Sequence, residues 1–192
     1  MNQVFTESGL EVGLIGGPEK CDIIIHEHSS EWVAKFRLHK DIIVGVLGRV
    51  ALSIEHIGST SVPGLAAKPI IDVLVVVPDS GSEETYLPDL EKAGYELRVR
   101  EPEFDEHRMV RTTDKDVHIH IFSPDSKEIE KYLVFRNWLR QNVKDRARYE
   151  AVKRSLAERD WSDMNKYAEA KSEVVENILS FAMSKELAIN ND

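Results

Sequence analysis

Apolar residues along this chain fall into two rhythms, one of short strand-like runs and one of helical stripes, and the change from one to the other marks its elements. Residues 52–57 form a first strand-like run. Residues 70–77 follow as eight nearly unbroken, mostly β-branched apolar positions, the pattern of a strand covered on both faces. Residues 95–100 alternate, and residues 107–112 and 117–122 flank Thr113-Asp114-Lys115-Asp116 as the arms of a hairpin. Residues 21–25 add one short strand candidate.

Elsewhere the spacing is helical. Ser29 and Ser30 precede Trp32, Phe36, Ile43, Val46, Leu47 and Val50, one stripe able to lie on a sheet. Residues 83–93 form a helix that Ser82 caps and Gly94 ends. In the last third, residues 128–143 carry Ile129, Tyr132, Leu133, Arg136, Leu139 and Val143 on one stripe, and the next helix aligns Tyr149, Val152, Lys153 and Leu156. After a break at residues 160–163, a final helix aligns Tyr167, Lys171, Val175, Ile178 and Ala182. Together these elements predict an α/β (α+β) fold: a mixed β-sheet of about five or six strands, helices packed on one side, and a C-terminal helical layer closing a cleft.

Residues 54–77 organise the rest. A first strand ends at Gly58-Ser59, where a backbone without a Cβ can turn sharply and bring amide groups close to an anion. Pro63 and Gly64 open a short helical turn over Ala66, Ala67 and Lys68, which Pro69 stops. Asp72 then sits alone inside the apolar strand, where a carboxylate needs a partner. It either caps a turn or pairs with Lys68, or it takes a divalent cation beside a phosphate cradle built from Gly58, Ser59 and Thr60.

Alternation places His118 and His120 on one strand face and Val117, Ile119 and Ile121 on the other. The imidazoles belong to a polar solvent face, or bind metal with Asp72, or hydrogen-bond phosphate; imidazole favours zinc, manganese or nickel over magnesium. His26, His28 and His39 read as surface or capping residues. Arg136 interrupts an otherwise buried stripe, and Tyr149/Lys153 and Tyr167/Lys171 repeat a Tyr-x-x-x-Lys spacing that sets hydroxyl and ammonium one turn apart. Either lysine alone could snorkel to water. Taken together they predict an anion pocket that gathers Ser59, Thr60, Lys68, Arg136, Lys153 and Lys171 around Asp72.

Composition narrows the class. The chain of 192 residues, 42% hydrophobic and 31% charged, suits one domain over residues 21–186, after an irregular, loosely attached lead-in at 1–20 and before a polar tail at 187–192. A net charge of −9 argues against broad nucleic-acid binding, which depends on neutralising phosphates. Cys21, the single cysteine, excludes an intramolecular disulfide. No stretch reads as a signal peptide or membrane span, so a cytoplasmic location is expected. Oligomeric state is not specified by these patterns.

The run His56-Ile-Gly-Ser-Thr-Ser-Val-Pro-Gly-Leu-Ala-Ala-Lys-Pro-Ile-Ile-Asp72 resembles the signature of the GrpB family, as do the His-x-His strand and the two Tyr-x-x-x-Lys pairs, over roughly residues 22–183. The resemblance implies a fold similar to the nucleotidyltransferase superfamily, whose pattern is a Gly-Ser turn followed by two alternating acids on a strand and a third acid later. Here Leu74 occupies the place of the second acid, which sets this chain apart from standard two-metal transfer. The implied function is binding of a nucleoside triphosphate or other phosphorylated small molecule with a divalent metal, and nucleotidyl transfer to a small molecule or protein. In that reading Asp72 holds the metal, with His118 and His120 as further ligands, while the turn at Gly58-Ser59 holds the phosphates. Lys68 or Lys171 meets the developing negative charge. Magnesium or manganese is the expected ion, with zinc or nickel the alternative. Two other readings stand beside it: a non-catalytic module that binds a nucleotide or phosphometabolite, favoured by the missing acid, and a metal-dependent phosphoesterase.

Overall fold

In the computed structural model, which describes residues 13–20, 22–161 and 164–189, five strands form one mixed sheet. They are β1 (Ser53–Ile57), β2 (Ile71–Val76), β3 (Tyr95–Glu101), β4 (His107–Thr112) and β5 (Val117–Phe122), in the order β1-β2-β5-β4-β3. The hairpin of β4 and β5 is antiparallel, as its turn residues require, and β5 then runs parallel to β2, placing Asp72 beside His118 and Leu74 beside His120. β5 is therefore central. All six of its residues are buried, so the alternative of a solvent-facing histidine strand does not hold.

The helices are α1 (Glu31–Leu47), α2 (Leu87–Lys92), α3 (Lys127–Gln141), α4 (Val143–Ala157), α5 (Met164–Glu169) and α6 (Ser172–Ile189). They cover both faces of the sheet, the C-terminal helices forming the layer on the cleft side. On one face Ile71, Val73, Val75, Ile119 and Ile121 meet Trp32, Ile43 and Leu47 of α1 and Leu90 of α2 in an apolar core. On the other, Ile57, Leu74 and Phe122 meet Tyr132, Phe135, Leu139 and Tyr149 of α3 and α4 and Val175 and Ile178 of α6. No described helix is long and apolar enough to cross a membrane.

Several elements differ from the sequence reading, each for a local reason. The helical turn falls at Ser59–Ser61, not at 66–68, because Ala67 is held in a backbone bridge to His26. Residues 22–25 form no strand, and Cys21 lies outside the described residues. The helix expected over 83–93 splits into a 3₁₀ turn at Glu83–Thr85 and α2, with Pro88 inside the first turn, where its missing N–H costs nothing. Val143 begins α4 instead of ending α3, because Asn142 caps α4 by accepting from the Asp145 amide. Of the lead-in, residues 13–20 are described and are tied down: Leu14 bridges Val99 on the edge strand, and Glu19 takes both terminal nitrogens of Arg111 at 2.9 Å. The break at 162–163 and the residues beyond 189 lie outside the described residues.

Candidate functional site

The site begins with one glycine. Gly58 has φ +70°, and a Cβ there would stand 2.2 Å from Asp72 Oδ2, so only glycine lets the turn close over the carboxylate. The pairing of Ile57 with Asp72 across β1 and β2 sets that contact. Ser61 then donates to the Gly58 carbonyl at 2.6 Å, and Thr60 donates to the Ile70 carbonyl at 3.0 Å while meeting His56 Nε2 at 3.1 Å. Thr60 is thus spent on holding the turn. Ser59 faces a cleft whose floor is Asp72, Ile70 and Ala67.

Three lysines and two tyrosines make the walls: Lys68, Tyr149 and Lys153, Tyr167 and Lys171. The two Tyr-x-x-x-Lys pairs do converge, by a different contact from the one expected. The Lys153 ammonium lies 4.8 Å from the centre of the Tyr149 ring, and Lys171 and Lys68 lie 4.5 and 5.6 Å from that of Tyr167. These are cation–π contacts with the ring faces. Lys171 is not part of a continuous helix, because residues 170 and 171 form a turn between α5 and α6. Lys153 donates to the Ala66 carbonyl at 2.5 Å. The Tyr149 hydroxyl bonds Ser59, whereas the buried Tyr167 hydroxyl has no hydrogen-bond partner among the described residues.

Crowding and burial shape the charges. Burial, then the neighbouring Lys68, pulls the Lys171 ammonium down to about 7. Burial, then Lys171, holds Lys153 well below the ordinary lysine value. Burial pushes the Tyr149 phenol up to about 12. For Asp72 burial works to raise the pKa, yet the carboxyl lies below its ordinary value, with the facing His120 and His118 imidazoles among the lowering influences. The cleft has a volume of about 50 Å³, against about 10–15 Å³ for one enclosed water. That is room for a few water-sized groups.

Arg136 is not brought to this cleft. Its guanidinium donates to Glu55 at 2.7 Å and to the His56 carbonyl at 3.0 Å, so the buried stripe it interrupts is completed by a neighbouring strand. Nor do Asp72, His118 and His120 assemble as a three-ligand metal centre: among the described residues no group of three such side chains is arranged to hold an ion. The imidazoles stand 3.9 and 3.7 Å from Asp72 Oδ1. Burial lowers His118 to about 4 and His120 to about 3.

Two residues of the site were not foreseen. His107 Nε2 lies 3.1 Å from His120 Nδ1, and His107 Nδ1 lies 2.7 Å from Glu101 Oε2, which extends the polar row away from Asp72. The hairpin register could have suggested His107, since Met109 pairs with His120. Glu101 could not be reached that way, because a bulge between Leu97 and Val99 shifts the register of β3.

A mixed sheet between two helical layers, with a lysine-lined cleft beside the Gly58-Ser59 turn that follows β1 and over Asp72 of β2, defines an α/β domain. The chain belongs to the GrpB family: the model described as GrpB protein matches residues 22–180. It is 49% identical over 165 residues to a UPF0157 protein of Halalkalibacterium halodurans, covering 86% of this chain and 85% of that one. It is 50% identical over 171 residues to one of Streptomyces coelicolor, covering 89% and 90%. Among solved structures, the conserved protein GrpB from Enterococcus faecalis superposes with a TM-score of 0.77 at 34% identity, over 85% of this chain and 99% of that one. The Cid1 RNA terminal uridylyl transferase matches 67% of this chain and 41% of its own at 17% identity and a TM-score of 0.48, a likeness too slight to bear on function.

Proposed function

We propose that this protein binds the phosphates of a nucleotide in the cleft between β2 and the C-terminal helices and transfers a nucleotidyl group from it. The observation that supports this most is the meeting of three lysines from three separate segments, Lys68, Lys153 and Lys171, around one carboxylate. Repulsion among cations crowded in one cleft opposes folding unless an anion offsets it. A polyphosphate does so, and it draws the lysines into their charged forms. A divalent metal enters in this reading with the substrate, as magnesium or manganese carried on the phosphates, which needs few protein ligands. Transfer follows from the strand acid beneath a Gly-Ser turn. The buried Leu74 stands where a second acid would be, which favours the alternative of a module that binds without turnover.

Titration calorimetry and thermal shift with magnesium and each of the four common nucleoside triphosphates test the binding step. Stabilisation is expected, as for any ligand of the native state. No stabilisation at millimolar nucleotide overturns the reading, and binding without pyrophosphate release in the presence of hydroxyl compounds replaces transfer with the binding module.

A further inference from the structure

Lys153 and Lys171 line the same cleft and are held differently. Lys153 is 2% exposed and spends its ammonium on the Ala66 carbonyl at 2.5 Å. Lys171 is only partly buried. Among the described residues its Nζ has no hydrogen-bond acceptor and no carboxylate at ion-pair distance. It stands 4.5 Å from the centre of the Tyr167 ring, and Lys68 lies 5.6 Å from the same centre. A ring face offsets lost hydration less well than a carboxylate does, and a second cation on that ring opposes the charge further. Asp72 favours the ammonium but is the weakest of the three influences, so burial and Lys68 prevail and bring Lys171 down to about 7. Near neutral pH much of Lys171 therefore carries a free lone pair, which makes an amine a nucleophile.

The cleft narrows the choice of electrophile. Its volume of about 50 Å³ admits only a small molecule. An anionic reagent would draw a proton onto the amine and quench it. A group-transfer reagent also needs a place for its leaving group. Carbon dioxide is small and neutral, and it adds without a leaving group. Its product with an amine is an anion, and the Lys68 cation, close enough to act on Lys171, is there to meet that charge.

We propose that Lys171 is a carbon dioxide site, whose amine forms a carbamate that the positive charge of Lys68 stabilises. The Nζ lone pair forms a bond to carbon, one C=O π pair moves onto oxygen, and one Nζ proton leaves to solvent. The addition turns an amine of the cleft into an anion, so carbon dioxide changes the charge that any anionic ligand meets there. This goes beyond the nucleotide reading and needs only the amine, the cation and the space.

The full chain is equilibrated in carbon-13 bicarbonate near neutral pH, carbamates are trapped as ethyl esters with triethyloxonium, and peptide mass spectrometry locates the label. Label on Lys171 is expected at several times the level on Lys92, an exposed lysine paired with Asp89. A level no higher than that of Lys92 overturns the proposal. In the chain unfolded by guanidinium the excess should vanish; an excess that persists shows that the cleft does not create it, and overturns the structural assignment. Lys68→Met raises the ammonium fraction of Lys171 and leaves the carbamate uncompensated, so the label on Lys171 should fall several-fold. An undiminished label overturns the role of Lys68. If this variant does not fold, the wild-type comparison still decides. No nucleotide is present, so this test can fail while nucleotide binding stands, and can hold if it falls.

Discussion

The two faces of the central strands obey different rules. On the α1 side, Val73, Val75, Ile119 and Ile121 are fully buried in a cluster of aliphatic and aromatic side chains. On the α3 side, Leu74 and Phe122 alternate with polar residues: His118 and His120 are buried and Asp72 is partly so. Sealing polar groups inside a protein costs free energy unless they are paired, and His118 Nδ1 and His120 Nε2 have no hydrogen-bond partner among the described residues. A strand pair that could have been dry on both faces carries polar residues on one. The cost is confined to the face that opens into the cleft, which is where a functional site would put it.

The sharpest way to break this contrast is to alter one neighbour on each face. Ile119→Ala should lose about 2–5 kcal/mol of stability, the range for a truncated core aliphatic, with cleft binding retained by the folded fraction. His120→Leu should lose less, because an apolar side chain of similar size removes the buried polar atoms. Urea unfolding of both variants measures the difference, and a His120→Leu loss as large as that of Ile119→Ala would make His120 a structural core residue.

Gly58→Ala probes the seam where the turn meets Asp72. The added methyl would collide with the carboxylate and demand a positive φ from alanine, so a loss of about 1–3 kcal/mol is expected, together with weakened nucleotide binding. An unchanged melting temperature would show that the turn can move away from Asp72.

Lys171→Met separates charge from packing within the cleft. The empty protein should be as stable as the parent or more so, while nucleotide binding weakens by about 1.5 kcal/mol or more, the loss of a charge-assisted hydrogen bond. Titration calorimetry checks it; equal affinities would place this lysine outside the phosphate contacts. By contrast Arg136→Ala should leave affinity unchanged, since that guanidinium is held by Glu55 and the His56 carbonyl.

The smallest effects concern pH, and they share one sign across two different pH windows. Lys171 falls to about 7 in the folded protein, so the unfolded chain binds the extra proton above that pH and stability rises as pH increases from about 7 toward the ordinary lysine range. Lys171→Met should flatten that rise. His118 and His120 fall to about 4 and about 3, so the unfolded chain takes up their protons first and stability declines as pH drops below the ordinary histidine value. His120→Leu should make that decline shallower, read from unfolding midpoints across the pH range.

Much of this architecture was legible because it repeats locally. The β-branched run through residues 70–77, the hairpin around residues 113–116 and the glycine at 94, with φ +93°, each state their structure within a few residues. The lysine and tyrosine pairs also announced themselves by spacing, although their contact proved to be ammonium on ring rather than two polar groups side by side. Arg136 misled because a helical stripe shows that a residue faces inward and not which strand it meets. Glu55, 81 residues away in sequence, supplied the anion.

Sequence alone thus determined the elements, their order and the family signature around Gly58 and Asp72, because dihedral preference and periodicity act over one or two turns of chain. Tertiary structure decided which polar residues share a site. The parallel pairing of β2 with β5 set His118 and His120 beside Asp72, and the bulge in β3 turned Glu101 toward His107. The turn between α5 and α6 carried Lys171 over the same ring as Lys68. Each of these contacts joins segments far apart in the chain, so its geometry depends on strand register and helix packing, which no local pattern encodes.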